Sequence, residues 1–294
     1  MQFWKATNRQ IAVPKNYFME SSAIPFDQDG RINSHMPAVN SHALTPSDRI
    51  IASVIGTPID AISWDGAIGR IMAWAKNRES RYVCICNVHS VVTATQDPDF
   101  SKVLSEADMA TPDGAPVAWM LRHLGFSGQQ RINGPDLMLR YCGEAVSSGE
   151  SIFLYGSAPA TLERLQTRLL QKFPTLRIAG AYSPPFRELS VEEDTQIVDR
   201  INQSGAATVW VSLGCPKQEF WMAQHRGHIN AVMLGVGAAF DYHAGTIRRA
   251  PLWMQNHGLE WLFRLIAEPR RLWRRYFSTN TLFFVAAFRQ LLRR

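Results

Sequence analysis

Short apolar runs that stop at a glycine-bearing loop, spaced by amphipathic stretches of about 10–15 residues, constrain this chain more than any other feature. The runs are Tyr82–Cys86, Ser151–Tyr155, Arg177–Gly180, Thr208–Leu213 and Ala231–Leu234. Most are apolar at successive positions rather than at alternate ones, as in strands buried on both faces of a parallel sheet. Between them the apolar spacing becomes helical. Ile68, Ile71, Met72 and Ala75 mark a helix over about 64–77, and Leu162, Leu165, Leu169 and Leu170 mark another over about 159–173. Further helical patterns lie near 98–106, 115–124 and 135–148, and one over 191–203 starts at a capping pair, Ser190 with Glu193. Alternating strands and helices predict right-handed crossovers. The expected fold is α/β: a Rossmann-like, mostly parallel sheet flanked by helices.

In such sheets ligands bind outside the carboxyl ends of the strands, so the loops there are the first place to look for chemistry. Three carry glycine: Gly156, Gly214 and Gly237. The loop Gly214-Cys215-Pro216-Lys217-Gln218-Glu219 offers a cation, an amide and a carboxylate together. Gln218 there suits a base, a ribose or a sugar hydroxyl, and the loop alone does not choose among them. Thr111-Pro112-Asp113-Gly114 places a carboxylate in a tight turn, where Asp113 is either a general base aimed into a cleft or a solvated turn residue. Arg131 precedes a turn into a helix, where its planar fork suits two phosphate oxygens or a surface ion pair. Asn87 follows the first buried run as a ligand contact or a helix cap.

Other features argue against chemistry. Asp97-Pro98-Asp99 has a metal-binding look, but it opens a helical pattern, where carboxylates favour the helix dipole. Gly235-Val236-Gly237 lacks the third glycine of a dinucleotide fingerprint, position 240 being Phe. His225 and His228 have no second ligand pair nearby, which weighs against zinc. Four cysteines, none in a framework spacing, read as reduced thiols. Residues 1–48, rich in Pro, Ser, Asn and Asp without periodicity, read as a flexible extension ahead of a core over 49–247.

The motifs in this order resemble the WecG/TagA/CpsF glycosyltransferases. The likeness covers roughly Ile50 to Tyr276. It runs through Ala110-Thr111-Pro112-Asp113-Gly114, Arg131-Ile132-Asn133-Gly134-Pro135-Asp136-Leu137, Ile152–Gly156, Leu213–Glu219 and Gly235–Gly245. It closes with Arg249-Ala250-Pro251, Gly258–Trp261 and Glu268–Leu272. The resemblance implies an inverting transfer from a UDP-sugar to an undecaprenyl-diphosphate-linked saccharide, in exopolysaccharide or other cell-surface polysaccharide synthesis. It makes Asp113 the base and Asn87, Arg131 and Gln218 substrate contacts. The positions Gly156, Gly214, Lys217, Glu219, Gly237 and Asp241 complete the expected substrate-binding set. No obligatory metal or other cofactor is expected. One position departs: the family's usual threonine at the first strand end is Ile85, so that hydroxyl is absent or comes from Ser90 or Thr93.

The charge is polarised. Thr246 to Arg294 holds ten arginines against Glu260 and Glu268, a net +8 in a chain of +6 overall, which leaves about −2 for the rest. Aromatic and aliphatic residues lie between these arginines, so residues 248–294 read as a basic amphipathic appendage. The expectation is that Arg264, Arg271, Arg274 and Arg275 meet the membrane or a diphosphate. With no secretory h-region and no run of the roughly 18–20 apolar residues that cross a bilayer, the chain is expected in the cytoplasm, peripheral to the inner membrane face. A homo-oligomer is allowed, and no nucleic-acid partner is expected. Two rival classes remain, a nucleotide-cofactor oxidoreductase and a basic nucleic-acid-binding module.

Overall fold

The computed structural model describes residues 49–293; the expected extension over 1–48 lies outside them, as do Arg294 and the side chains of Arg271 and Arg275. Six parallel strands form the central sheet: β3 (Arg81–Cys86), β4 (Met109–Pro112), β5 (Ser151–Gly156), β6 (Arg177–Tyr182), β7 (Thr208–Ser212) and β8 (Val232–Gly235). Their order is β4-β3-β8-β7-β5-β6. A two-stranded antiparallel hairpin, β1 (Ile51–Val54) and β2 (Thr57–Asp60), stands ahead of it.

The apolar runs are continuous because both faces of the sheet are covered. Tyr82, Cys84, Phe153, Tyr155, Val209, Val211 and Met233 belong to one buried cluster. The alternate residues Val83, Ile85, Ile152, Leu154, Trp210, Val232 and Leu234 belong to the other. The second cluster is closed by α1 (Trp64–Lys76), α5 (Gly134–Ser148), α6 (Pro159–Lys172) and α9 (Ala239–Ala244). The first is closed by α2 (Val88–Gln96), α3 (Pro98–Ser105), α4 (Ala115–His123), α7 (Val191–Gln203) and α8 (Lys217–His225). Ser190 and Glu193 form the expected capping box at α7. Asp97 caps α3, its Oδ1 accepting from the amides of Asp99 and Phe100, with Pro98 in the first turn. That geometry gives the Asp-Pro-Asp segment a structural task. His225 is likewise occupied, its ring nitrogens facing Trp221 O at 2.7 Å and Asp194 Oδ2 at 2.9 Å.

Several short elements escape the sequence reading, among them β1, β2, β4, α2 and α8. β4 is four residues long and ends at Pro112, too short for periodicity to register. Helix α2 begins at the cap that is one of the two readings of Asn87, and α8 begins within the segment read as a strand-end loop, so Lys217 stands at a helix N-terminus.

The C-terminal segment contains α10 (Leu252–Asn256), α11 (Glu260–Ala267) and α12 (Pro269–Leu292). It does not stand apart as an appendage. Leu272, Phe283 and Ala287 are buried, and Phe283 and Ala287 join the core cluster that includes α2. Gln290 fastens the far end, accepting from Ile55 N at 2.7 Å and donating to Ser53 O at 2.6 Å. The remaining face of α12 is exposed and apolar, with Phe277, Phe284, Val285, Phe288 and Leu292 open to solvent. Among the described residues no helix is long and apolar enough to cross a membrane.

Candidate active site

A cleft of about 790 Å³ lies over the carboxyl ends of the strands. The first turns of α2, α4, α5, α6, α8 and α9 line it through Val88, Ala115, Gly134, Thr161, Gln218 and Ala239. A parallel sheet delivers this arrangement, because each strand must turn there into the helix that follows. Helix N-termini carry unpaired amides and partial positive charge, so their convergence suits a polyanion. Of the expected residues, the cleft gathers Asp113, Asn87, Arg131, Gly214, Gln218, Glu219, Gly237, Asp241 and Arg264.

Asp113 follows β4, tied to β3 by its own amide, which donates to Cys86 O at 2.9 Å. Its Oδ1 accepts from Gly114 N at 2.6 Å. Gly114 has φ +79°, a conformation that disfavours side chains and bends the chain sharply into α4. Burial pushes the Asp113 carboxyl up to about 6; Arg131 opposes the rise and Glu260 adds to it. A carboxylate poised there is ionised at neutral pH yet basic enough to take a proton.

Asn87 combines its two readings. Its Oδ1 caps α2, accepting from His89 N at 2.9 Å and Ser90 N at 3.2 Å, while the residue also lines the cleft. It lies beside the base, since a Cβ built on Gly114 would stand 3.9 Å from Asn87 Cβ. Ile85 lines the cleft too, so the departure from the family pattern places an apolar wall where a hydroxyl is usual. Of the two substitutes, Ser90 lines the cleft. Thr93 is not among the lining residues; its Oγ1 lies 3.4 Å from His89 Nδ1.

Gln218 and Glu219 are both buried at the start of α8. Gln218 Nε2 donates to Glu219 Oε1 at 2.9 Å, and Gln218 Oε1 and Glu219 Oε2 have no hydrogen-bond partner. Burial pushes Glu219 up to about 7, with the Gln218 amide opposing. Gly235 makes room for this pair: a Cβ there would stand 3.0 Å from Gln218 Nε2 and 2.8 Å from Met222 Cε. An unmet acceptor such as Gln218 Oε1 at the edge of a cleft is costly unless a ligand supplies a donor.

Three of the expected residues do not line the cleft, though for Arg274 an exposed position accords with the membrane contact that is one of its two expectations. Lys217 is exposed at the first position of α8 and does not line the cleft, because the helix turns its side chain to solvent while Gln218 and Glu219 face inward. Gly156 is a backbone requirement rather than a contact: at φ +106°, its added Cβ would collide with the Ser212 carbonyl of the neighbouring strand. Arg274 is exposed, its guanidinium 5.4 Å from the Trp273 ring, and is not among the lining residues. The placements expected for Arg271 and Arg275 lie outside the described side chains.

The structure adds residues the sequence did not single out. Arg131 Nη1 pairs with Glu260 Oε2 of α11 at 2.9 Å. Arg249 joins Glu260 at 3.3 Å and Asp136 at 2.6 Å. Burial opposes ionisation of Asp136, but Arg249 and Asn133 prevail and hold its carboxyl below the usual range. The C-terminal segment, expected to meet the membrane or the active site, supplies one wall of the cleft, through Glu260, Trp261, Arg264, Tyr276, Asn280 and Phe284. Arg264 lies 5.9 Å from the Tyr242 ring, and its Nε is buried without a partner. Phe186, in the loop after β6, lines the cleft with its ring 93% exposed. Its signal in the sequence was an aromatic residue after Pro184-Pro185 at a strand end.

Fold and site together define an α/β protein whose strand ends open into one cleft, where helix N-termini, Arg131 and the buried carboxyl of Asp113 meet. Comparison with known proteins supplies the family. Residues 52–294 match the glycosyl transferase WecG/TagA/CpsF family. A protein of Bacillus spizizenii named N-acetylglucosaminyldiphosphoundecaprenol N-acetyl-beta-D-mannosaminyltransferase is 34% identical over 199 residues, 67% of this chain and 75% of the relative. A Bacillus subtilis protein of the same name is 34% identical over 194 residues, 65% of this chain and 73% of the relative. The chain belongs to the WecG/TagA/CpsF family and is a glycosyltransferase.

Proposed function

We propose that this glycosyltransferase moves an N-acetylhexosaminyl group from a UDP-sugar onto a polyprenyl-diphosphate-linked saccharide, with inversion, at the inner face of the cytoplasmic membrane. The observation that carries the reading is the gathering of Asp113, Asn87, Arg131 and Gln218 around one cleft. The names of the two relatives support the class of acceptor. The acceptor hydroxyl attacks the anomeric carbon from the side opposite UDP. Asp113 takes the hydroxyl proton as the new C–O bond forms, and the bond from that carbon to the phosphate oxygen breaks with its electron pair leaving on UDP. Arg131, Arg264 and the helix amides meet the growing negative charge, and no obligatory metal is required. Gln218 and Glu219 receive donors from the sugar or the nucleotide.

The test is a panel of UDP-sugars with a synthetic polyprenyl-diphosphate saccharide, scored for released UDP with and without chelator. One UDP-N-acetylhexosamine should be turned over, and chelator should leave the rate unchanged. No release with any donor would remove the reading.

Phe186 offers its open face to the uracil or another flat group of the donor. Phe186→Ala should raise the donor KM by about 2–12-fold, the equivalent of an aromatic pair, with kcat nearly unchanged. Because the ring is exposed, thermal stability should not move. An unchanged KM would take Phe186 out of donor binding.

A further inference from the structure

Beside the cleft, Trp119 of α4 and Phe284, Val285, Ala287, Phe288, Arg289 and Leu291 of α12 line a second, apolar groove of about 460 Å³. No step proposed above uses it. Its side chains are open to solvent: Phe288 is 63% exposed and Phe284 55%. An exposed apolar trough on a described surface marks a place where something apolar docks.

Both walls of the groove begin in the active cleft. Along α4, Asp113, Gly114, Ala115 and Pro116 line the cleft, and Trp119, one turn further on, lines the groove. Along α12, Tyr276, Asn280 and Phe284 line the cleft, while Phe284, Val285, Phe288 and Leu291 line the groove. Phe284 belongs to both. The two helices thus form rails from a polar site that holds anions to a trough with almost no polar lining. Their polarity matches an amphiphile with an anionic head and a hydrocarbon tail.

We propose that this groove holds the first part of the polyprenyl tail of the acceptor, so that the saccharide and diphosphate are drawn towards Asp113 from the α4–α12 side. The inference rests on the acceptor class proposed above and adds where its lipid lies. A single hydrocarbon chain is favoured over the bilayer surface because the trough is an apolar recess that shares Phe284 with the reaction cleft. A bilayer needs only a convex face. Phe283 of α12 is buried in the core and does not line the groove, so Phe288 and Val285 can be altered without removing the packing that holds the helix.

The experiment compares two acceptors bearing the same saccharide diphosphate, one with a full-length polyprenyl tail and one with a short, water-soluble prenyl tail. Both are assayed with the full chain in detergent micelles, where no bilayer is present. The wild type should prefer the long tail in kcat/KM. Phe288→Ser and Val285→Ser should each lower that preference by roughly tenfold, the loss expected for one large apolar contact, through KM for the long acceptor. Their KM for donor should not change. A long acceptor with a photoreactive group in its first prenyl units should label peptides containing Trp119 or Phe288. If the wild type uses both acceptors equally, or both variants keep the preference, or labelling falls elsewhere, the groove assignment fails while the transferase reading stands. Variants that keep the preference but lose binding to anionic phospholipid vesicles would identify a bilayer contact and overturn the proposal. If the wild type transfers to neither acceptor, the proposed function fails and the groove assignment with it.

Discussion

Replacing Asp113 with Asn should leave a folded protein that still binds UDP and has lost about 10²–10⁴-fold in kcat, the usual contribution of a positioned general base. Folding should survive because the hydrogen bond at this turn needs an acceptor, not a charge. Gly114 N donates to Oδ1 at 2.6 Å, and an asparagine carbonyl oxygen accepts there as well. The positive φ of Gly114 and the bond from Asp113 N to Cys86 O are backbone features that the substitution does not touch. The measurements are UDP release in single turnover, UDP binding by calorimetry and the thermal midpoint. Burial holds the carboxyl at about 6, so wild-type kcat/KM should fall as pH drops through that value, where the base becomes protonated. The residual activity of Asp113→Asn should lack this limb. A variant with wild-type kcat, or one that keeps the limb, would remove Asp113 from the base role.

The parts legible in the sequence were those written as sustained pattern. The buried strands β3, β5, β7 and β8 were visible because coverage on both faces demands continuous apolar runs, and α7 because its cap is a local motif. The ordered family motifs pick out Asp113, Arg131, Asn87 and Gln218, and the four line one cleft. What was not legible depends on contacts distant in sequence. Glu260 lies 129 positions from Arg131, and nothing near either residue states that they pair. The same holds for α12, whose amphipathic pattern reads equally as a membrane face or a core face. In the fold one side is buried, through Phe283 and Ala287, while Phe284 and Phe288 are exposed. Lys217 was misplaced for a different reason. Its loop begins a helix, and one residue of helical advance separates an outward lysine from an inward glutamine.

The pairing of Arg131 with Glu260 gives the second large effect, and it has a sign that separates chemistry from damage. Arg131→Ala should lower kcat by about 10²–10³-fold, as expected for removing one group that stabilises charge in the transition state. It should also move the acid limb to higher pH, because Arg131 is the strongest influence holding Asp113 down. Glu260 does not leave with it, being held by Arg249 at 3.3 Å, so its carboxylate continues to push Asp113 up. Glu260→Gln should act in the opposite direction. It removes a negative charge that raises Asp113 and frees Arg131 from a 2.9 Å pair, so the limb should move to lower pH. Arg131→Lys keeps the charge but not the planar fork, and it should hold the limb near its wild-type position with an intermediate kcat. Full pH profiles of kcat/KM for the three variants decide the matter. General loosening of the cleft would shift all three limbs the same way or none of them. Opposed shifts for Arg131→Ala and Glu260→Gln require that the titrating group be a carboxyl that feels both of these charges, as Asp113 does.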